Sequence, residues 1–284
     1  MYTLVTKRYN KELNDAASAV HLAGSMMLHY YDLDYSVSMK EGESSPEAAI
    51  FTEVDRKVDR IVKNCFSQLW PGDQLLTEET DPDECWHKAR RIWIIDPIDG
   101  TMGYKKKTGS FGISIALIED GRPALGVLYA PIRNLMAWAV RGEGTYLNGT
   151  KIDLRNKSSI NTILCSSNSI DRPPYRKVLQ AINPEDNLGI TATESVVVKA
   201  LLLLSGSGEI YPILPMSEET KSVPKFWDIA AADVILHEAG ARVTTFFGEE
   251  YKYDIPDFRC VRGVLMGTVA GHSYALSKLQ TEIR

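Results

Sequence analysis

The sequence predicts an α+β fold, layered as an α/β/α/β/α sandwich, with an N-terminal largely antiparallel sheet and a C-terminal α/β half. Three observations lead there. Two stretches of helical apolar spacing open the chain, and a series of short apolar runs separated by tight turns fills residues 74–140. Past residue 155, runs of strand length alternate with runs of helix length. Strands joined by short turns pair antiparallel, whereas alternating strands and helices build an α/β unit. Two subdomains are expected, 1–155 and 156–284.

The elements follow in order. Leu13, Ala16, Ala17, Val20, Ala23 and Met27 recur at helical spacing and predict a helix over Lys11–Tyr31. Asp32–Ala49 is polar and rich in Glu, Ser, Gly and Pro, which predicts a loop or mobile hairpin. Val54, Val58, Ile61, Val62 and Phe66 form one stripe on a helix over Glu53–Leu69, with Thr52 its natural N-cap and Pro71-Gly72-Asp73 its terminating turn. Strands are predicted at Gln74–Glu78, Ile92–Asp96, Gly112–Glu119, Pro123–Tyr129 and Leu135–Val140, with Asp120-Gly121 a hairpin turn. Near Asn148-Gly149 the pattern changes. Strands at Thr162–Ser166, Glu209–Leu214, Arg242–Phe246 and Gly263–Ala270 then alternate with helices at Tyr175–Ile182, Val196–Leu204, Trp227–Ala239 and from His272 onward.

The 284 residues, 44% hydrophobic and 24% charged, suffice for a large core. A net charge of -5 argues against general affinity for nucleic acid. Cys65, Cys85, Cys165 and Cys260 are scattered without a Cys-x-x-Cys pair, which favours free thiols in a reducing compartment. The histidines (His21, His29, His87, His237, His272) show no zinc-binding spacing. The longest apolar run, Val196–Leu204, is interrupted by Lys199 and too short to span a bilayer, and residues 1–8 lack a signal-peptide core. A cytoplasmic protein without membrane partners is expected; no feature sets an oligomeric state.

The chemistry concentrates in Trp93-Ile94-Ile95-Asp96-Pro97-Ile98-Asp99-Gly100-Thr101. A buried strand is predicted to end at Asp96, with Pro97 and Gly100 forcing a turn. Two carboxylates so placed point into one space, and at about 4 Å they repel by roughly 4 kcal/mol at an effective dielectric of ~20. A cation must offset this, and hard oxygen donors suit Mg²⁺. Three further acidic segments stand out: Thr52-Glu53-Val54-Asp55, Leu75-Leu76-Thr77-Glu78-Glu79, and Phe226-Trp227-Asp228 before an alanine-rich helix. Each also has a structural reading. Asp55 could be a first-turn acid worth about 0.3–1 kcal/mol against the helix dipole. Glu78-Glu79 could be a solvated turn, and Asp228 a helix N-cap.

In order and spacing, these segments resemble the inositol monophosphatase superfamily of lithium-sensitive, Mg²⁺-dependent phosphatases. The resemblance runs from Thr52 through Gly240 and rests on Asp-Pro-Ile-Asp-Gly-Thr together with Trp-Asp-x-Ala-Ala and the following Glu238-Ala239-Gly240. It implies side-chain metal ligands at Glu78, Asp96, Asp99 and Asp228, a further ligand in the Ile98 carbonyl, and two or three Mg²⁺ ions. It implies that Gly100 and Thr101 hold the substrate phosphate, with Asp99, Asp228 and Lys199 also facing substrate. Asp55 would hydrogen-bond Thr101 or help position a third ion, and Asp55, Thr101 and Glu78 would orient the attacking water. Metal-activated water suits this chemistry, because a free water's pKa is about 15.7 and a phosphate monoester is doubly negative.

Within the superfamily, Thr101–Phe111, Ile115–Pro131, Lys199–Pro212 and Pro224–Asp228 are most similar to the 3'(2'),5'-bisphosphate nucleotidase branch. The chain lacks the Asn-Phe and His-Gly that follow the threonine in inositol monophosphatases. It departs from the branch at Thr77, Met102, Val196 and Val197, and Ser166–Arg172 carries no histidine. The implied activity is hydrolysis of the 3'-phosphate of adenosine 3',5'-bisphosphate to AMP and phosphate, with Lys199 on the second phosphate. The alternative is an inositol phosphate phosphatase, acting on a monophosphate or at the 1-position of a polyphosphate. Structural readings stand beside these: Lys105-Lys106-Lys107 as a solvated hairpin tip, Lys199 snorkelling to the surface, and Trp227 as core packing.

Overall fold

The apolar stripe at the start of the chain folds as its spacing requires: α1 (Asn10–Tyr31) buries Leu13, Ala16, Val20, Ala23 and Met27 on one face. The computed structural model describes residues 4–33, 37–39, 50–215 and 223–282. The loop or hairpin expected over Asp32–Ala49 therefore lies mostly outside the described residues; its flanks pair antiparallel as β1 (Val37–Met39) and β2 (Ile50–Thr52). α2 (Glu53–Leu69) begins directly after β2 because Thr52 caps it. The Thr52 hydroxyl accepts the Val54 and Asp55 N–H groups at 3.2 and 3.3 Å, and Asp55 accepts the Thr52 N–H at 2.7 Å.

The first sheet holds β3 (Gln74–Thr77), β4 (Arg91–Asp99), β5 (Gly112–Glu119), β6 (Arg122–Ala130), β7 (Leu135–Val140), β8 (Gly144–Leu147) and β9 (Thr150–Ile152), in that spatial order. Only β3 and β4 pair parallel. Asn148-Gly149 closes the β8–β9 hairpin, with φ of 46° and 79°, the left-handed conformations that a mirror-image hairpin turn needs. The pattern change read there is thus a turn within the sheet, which gains two strands the hydrophobic pattern did not announce. A short helix, α3 (Thr101–Lys105), follows β4.

The second sheet holds β10 (Thr162–Ser166), β11 (Gly189–Thr193), β12 (Ile210–Ile213), β13 (Ala241–Thr244) and β14 (Val264–Thr268). Its order is β11-β10-β12-β14-β13, with β10 parallel to both neighbours and β14 antiparallel to both of its own. The helices of this half are α4 (Pro173–Ile182), α5 (Val196–Leu204), α6 (Phe226–Glu238) and α7 (Val269–Glu282). β11 escaped the sequence reading because four of its five residues are exposed. α7 starts three residues before His272, since Val269 already has helical conformation.

Burial explains the layering. α5 and α6 are apolar nearly all round because a sheet lies on each side. One hydrophobic cluster joins Ile94, Ala116 and Leu128 of the first sheet, Val198 and Leu201 of α5, Ile229 and Ala230 of α6, and Tyr211 and Met266 of the second sheet. This cluster spans residues on both sides of position 155. α1 and α2 cover the other face of the first sheet over Trp93, Ile95, Ile113 and Val127. α4 and α7 cover the second sheet over Ile163, Ile210 and Leu265. The architecture is the five-layer α+β sandwich. α6 lies so close to β6 that a Cβ on Gly126 would stand 2.8 Å from the Ala231 carbonyl oxygen. No helix among the described residues is long and apolar enough to cross a membrane.

Candidate active site

A β-bulge builds the centre of the site. Asp96 pairs with Ser114 and Asp99 with Gly112, so three steps along β4 face two along β5. Side chains three apart on a regular strand point to opposite faces; one extra residue returns them to the same side. Pro97, which has no N–H to give a ladder, sits in this bulge. The expected end of the strand at Asp96 is therefore corrected: the strand continues to Asp99, and the turn comes at Gly100. There φ is +86°, and a Cβ would lie 2.7 Å from the Ser110 carbonyl oxygen and 2.8 Å from Ser195 Cβ, so only glycine fits.

Asp96, Asp99 and Asp228 each bring a carboxylate oxygen to within 4.8 Å of the other two. Asp96 and Asp99 are 1% and 5% exposed, and Asp228 is half-buried. Asp228 arrives from α6. It stands at the third position of the helix, not at its N-cap as the structural reading had it; Lys225 is the cap, and Asp228 reaches back to accept the Lys225 N–H at 2.5 Å. Asp55 uses the same device on α2. Its Oδ2 takes the N–H and hydroxyl of Thr52, while its Oδ1 accepts the Thr101 hydroxyl at 3.1 Å. Asp55 thus divides its oxygens, Oδ2 to the start of α2 and Oδ1 to Thr101. The Thr101 hydroxyl also lies 3.2 Å from the Ile98 carbonyl oxygen. Glu78 follows β3, half-buried, and its N–H donates to the Ile95 carbonyl at 3.3 Å, which seats it beside Asp96.

Burial, with repulsion from neighbouring acids, leaves Asp55, Asp99 and Asp228 reluctant to ionise without a cation. Burial raises Asp55 to about 6, with the charge of Glu78 adding to the effect. Burial and the charges of Glu78 and Asp99 raise Asp228 to about 8. Burial raises Asp99 too, against the hydrogen bonds it accepts and the nearby Lys199 ammonium. The clustered donors are all hard oxygens, with no imidazole or thiolate among them, and suit a hard divalent ion such as Mg²⁺.

Lys199 does not snorkel. It is 0% exposed, its Nζ donates to the Thr193 carbonyl at 2.8 Å and stands 5.0 Å from the centre of the Tyr211 ring. Burial lowers its pKa to about 8, opposed by the charges of Asp99, Cys165, Glu194 and Asp228. Lys105–Lys107 close the end of α3 and the turn after it, not a hairpin tip, and Lys107 Nζ lies 4.6 Å from the Tyr31 ring centre. Trp227 is core, packed on Phe258. Sequence reasoning missed Ser110 and Ser195. The Ser195 hydroxyl donates to Asp99 Oδ2, and the Val197 N–H reaches the same oxygen at 2.7 Å. The available signal was a serine immediately before an apolar helix, the mark of an N-cap.

The profile of the inositol monophosphatase family matches residues 10–281. The fructose-1,6-bisphosphatase/inositol-1-monophosphatase of Thermotoga maritima is 30% identical over 226 residues, covering 79% of this chain and 80% of its own. The 3'(2'),5'-bisphosphate nucleotidase CysQ of Escherichia coli K12 is 26% identical over 244 residues, covering 85% and 93%. Among solved structures, the extragenic suppressor protein suhB of Bartonella henselae superposes with a TM-score of 0.79 at 22% identity, over 95% of this chain and 98% of its own.

Proposed function

The chain belongs to the inositol monophosphatase family, and from that premise we propose that this phosphatase is a Mg²⁺-dependent phosphomonoesterase that removes the 3'-phosphate of adenosine 3',5'-bisphosphate, giving AMP and phosphate. The observation that carries the reading is the convergence of Asp96, Asp99 and Asp228 within 4.8 Å, beside the Asp55–Thr101 hydrogen bond. Glu78, Asp96, Asp99, Asp228 and the Ile98 carbonyl would hold two or three ions. When bound, Mg²⁺ neutralises phosphoryl charge, makes a water acidic enough to attack and stabilises the leaving alkoxide.

The chain's own groups do the rest. Thr101 donates its hydroxyl in a hydrogen bond to Asp55, so its oxygen is left to accept one from a water; as that water attacks, its proton passes to Thr101 while the Thr101 proton passes to Asp55. Glu78 supplies a second acceptor and fixes that water's orientation. Gly100 and Thr101 hold the phosphate through backbone N–H groups, and their tight turn sets the distance from phosphate to acids before substrate arrives. No covalent intermediate on the protein is required.

The nucleotide reading is supported by the length of the match to CysQ and by the nucleotidase-like segments around Lys199 and Trp227-Asp228. Lys199, fully buried in α5 with its Nζ on the Thr193 carbonyl, would act on the second phosphate through its charge and not by direct contact. A second reading, an inositol phosphate phosphatase, is favoured by the higher identity to the Thermotoga maritima protein. Phosphate release from adenosine 3',5'-bisphosphate, inositol 1-phosphate and inositol 1,4-bisphosphate, measured side by side with Mg²⁺, decides between them. The nucleotide is expected to be turned over at least tenfold faster; a tenfold preference for either inositol ester overturns the assignment.

A further inference from the structure

Asp99 is held by the other half of the chain. Its Oδ2 accepts two donors from the start of α5, the Ser195 hydroxyl and the Val197 N–H at 2.7 Å. Two donors on one oxygen fix the rotation of a carboxylate about its Cβ–Cγ bond. Ser195 is itself seated. Its oxygen accepts the Val198 N–H at 3.0 Å, which caps α5, and its N–H donates to Ser110 Oγ at 3.2 Å. Ser110 Oγ also takes the Glu194 N–H at 3.1 Å and meets the Thr193 hydroxyl. Both serines are buried, at 2% and 0% exposure, so water does not compete for these bonds. A hydroxyl that only capped a helix would have no need to face a carboxylate of the acidic cluster.

We propose that Ser195, seated by Ser110, is a positioning residue that orients the Asp99 carboxylate for the metal ion. The inference rests on the reading of the acidic cluster as a metal site, but not on which phosphate ester is the substrate. Partners behind a metal ligand are worth about 10–100-fold in metal affinity. Two functions meet in this one hydroxyl, capping and orienting, and metal binding separates them.

The test is calorimetric titration of the whole protein with Mg²⁺ and with Mn²⁺, for wild type, Ser195→Ala, Ser195→Thr and Ser110→Ala. Ser195→Ala is expected to bind Mg²⁺ about tenfold more weakly. The Mg²⁺ concentration for half-maximal phosphate release should rise by the same factor, with KM at saturating Mg²⁺ unchanged within twofold. Ser195→Thr, which keeps the hydroxyl, restores both, and Ser110→Ala falls between. Should Ser195→Ala fold poorly, Ser195→Cys keeps the volume with a weaker donor and shows the same direction. A Ser195→Ala protein that melts earlier yet binds Mg²⁺ with wild-type affinity overturns the proposal and leaves Ser195 a helix cap. Wild-type protein that binds neither ion removes the metal reading itself, a different result from the first.

Discussion

Thr101 and Asp55, forty-six positions apart, meet at 3.1 Å, Thr101 Oγ1 donating to Asp55 Oδ1. The bond joins the first residue of α3 to the first turn of α2. Asp55 can make it because its second oxygen is already committed to Thr52.

Replacing Thr101 by Val removes that donor while keeping the shape. A lost general acid–base contact is worth about 10²–10⁴ in rate, so kcat is expected to fall at least 100-fold, whereas Thr101→Ser keeps most activity. Steady-state kinetics at saturating Mg²⁺ check this, and near-wild-type turnover in the Val variant removes Thr101 from the mechanism.

Asp96→Asn is expected to abolish turnover in a protein that stays folded. Asp96 is buried among like charges, and removing one relieves repulsion in the metal-free state. The melting temperature in EDTA should match or exceed that of the wild type. A variant that unfolds under those conditions shows a structural role for Asp96 instead.

Lys199→Met withdraws a fully buried ammonium from the neighbourhood of Asp99 and Asp228 and takes one donor from the Thr193 carbonyl, which keeps the Ser167 N–H at 3.3 Å. Uncompensated buried charge is expensive, and a loss of roughly 2–4 kcal/mol is expected. Urea unfolding in EDTA measures it. A variant as stable as wild type means that Lys199 is not held in place for the fold's sake.

Asp233 sets a pH dependence away from the acidic cluster. It accepts the Tyr253 hydroxyl at 2.8 Å, and burial raises its pKa from 3.8 to about 6. A folded-state pKa above the unfolded one means stability that is fully present below about pH 4 and lost as pH climbs through 6. The shift corresponds to about 3 kcal/mol, an order-of-magnitude figure. Relative to Asp233→Asn, wild-type stability should therefore decline from pH 4 to pH 7 and then level off, as unfolding curves in EDTA across that range will show. A difference that does not vary with pH contradicts the raised pKa of this half-buried carboxyl.

The elements that sequence reasoning found are those whose apolar spacing announces burial. The stripe of α2 and the runs of β5 and β7 coincide with their observed bounds. What it missed carries little or no hydrophobic signal: β11 is exposed, and β8 and β9 are short strands at the edge of the first sheet. Asp96 and Asp99 were legible because two acids at the end of an apolar run are too costly to bury together unless a cation joins them. Their geometry was not, since a proline and a glycine near a strand end read as a turn, and only pairing with β5 shows a bulge. Asp55 and Asp228 looked ambiguous because each satisfies a helix start and the site together. Ser195 and Ser110 went unnoticed because hydrogen bonds between distant segments leave no local pattern.

The bulge in β4 makes the site a matter of parity. Side chains on a pleated ribbon take alternate sides, so one residue added to β5 between Gly112 and Ser114 would restore a regular three-to-three ladder while leaving composition and hydropathy almost unchanged. It would nonetheless turn one acid away from its companions and toward the layer of α1 and α2. Relatives that keep both aspartates and their spacing but lose the bulge would keep the letters of the motif and lose its meaning.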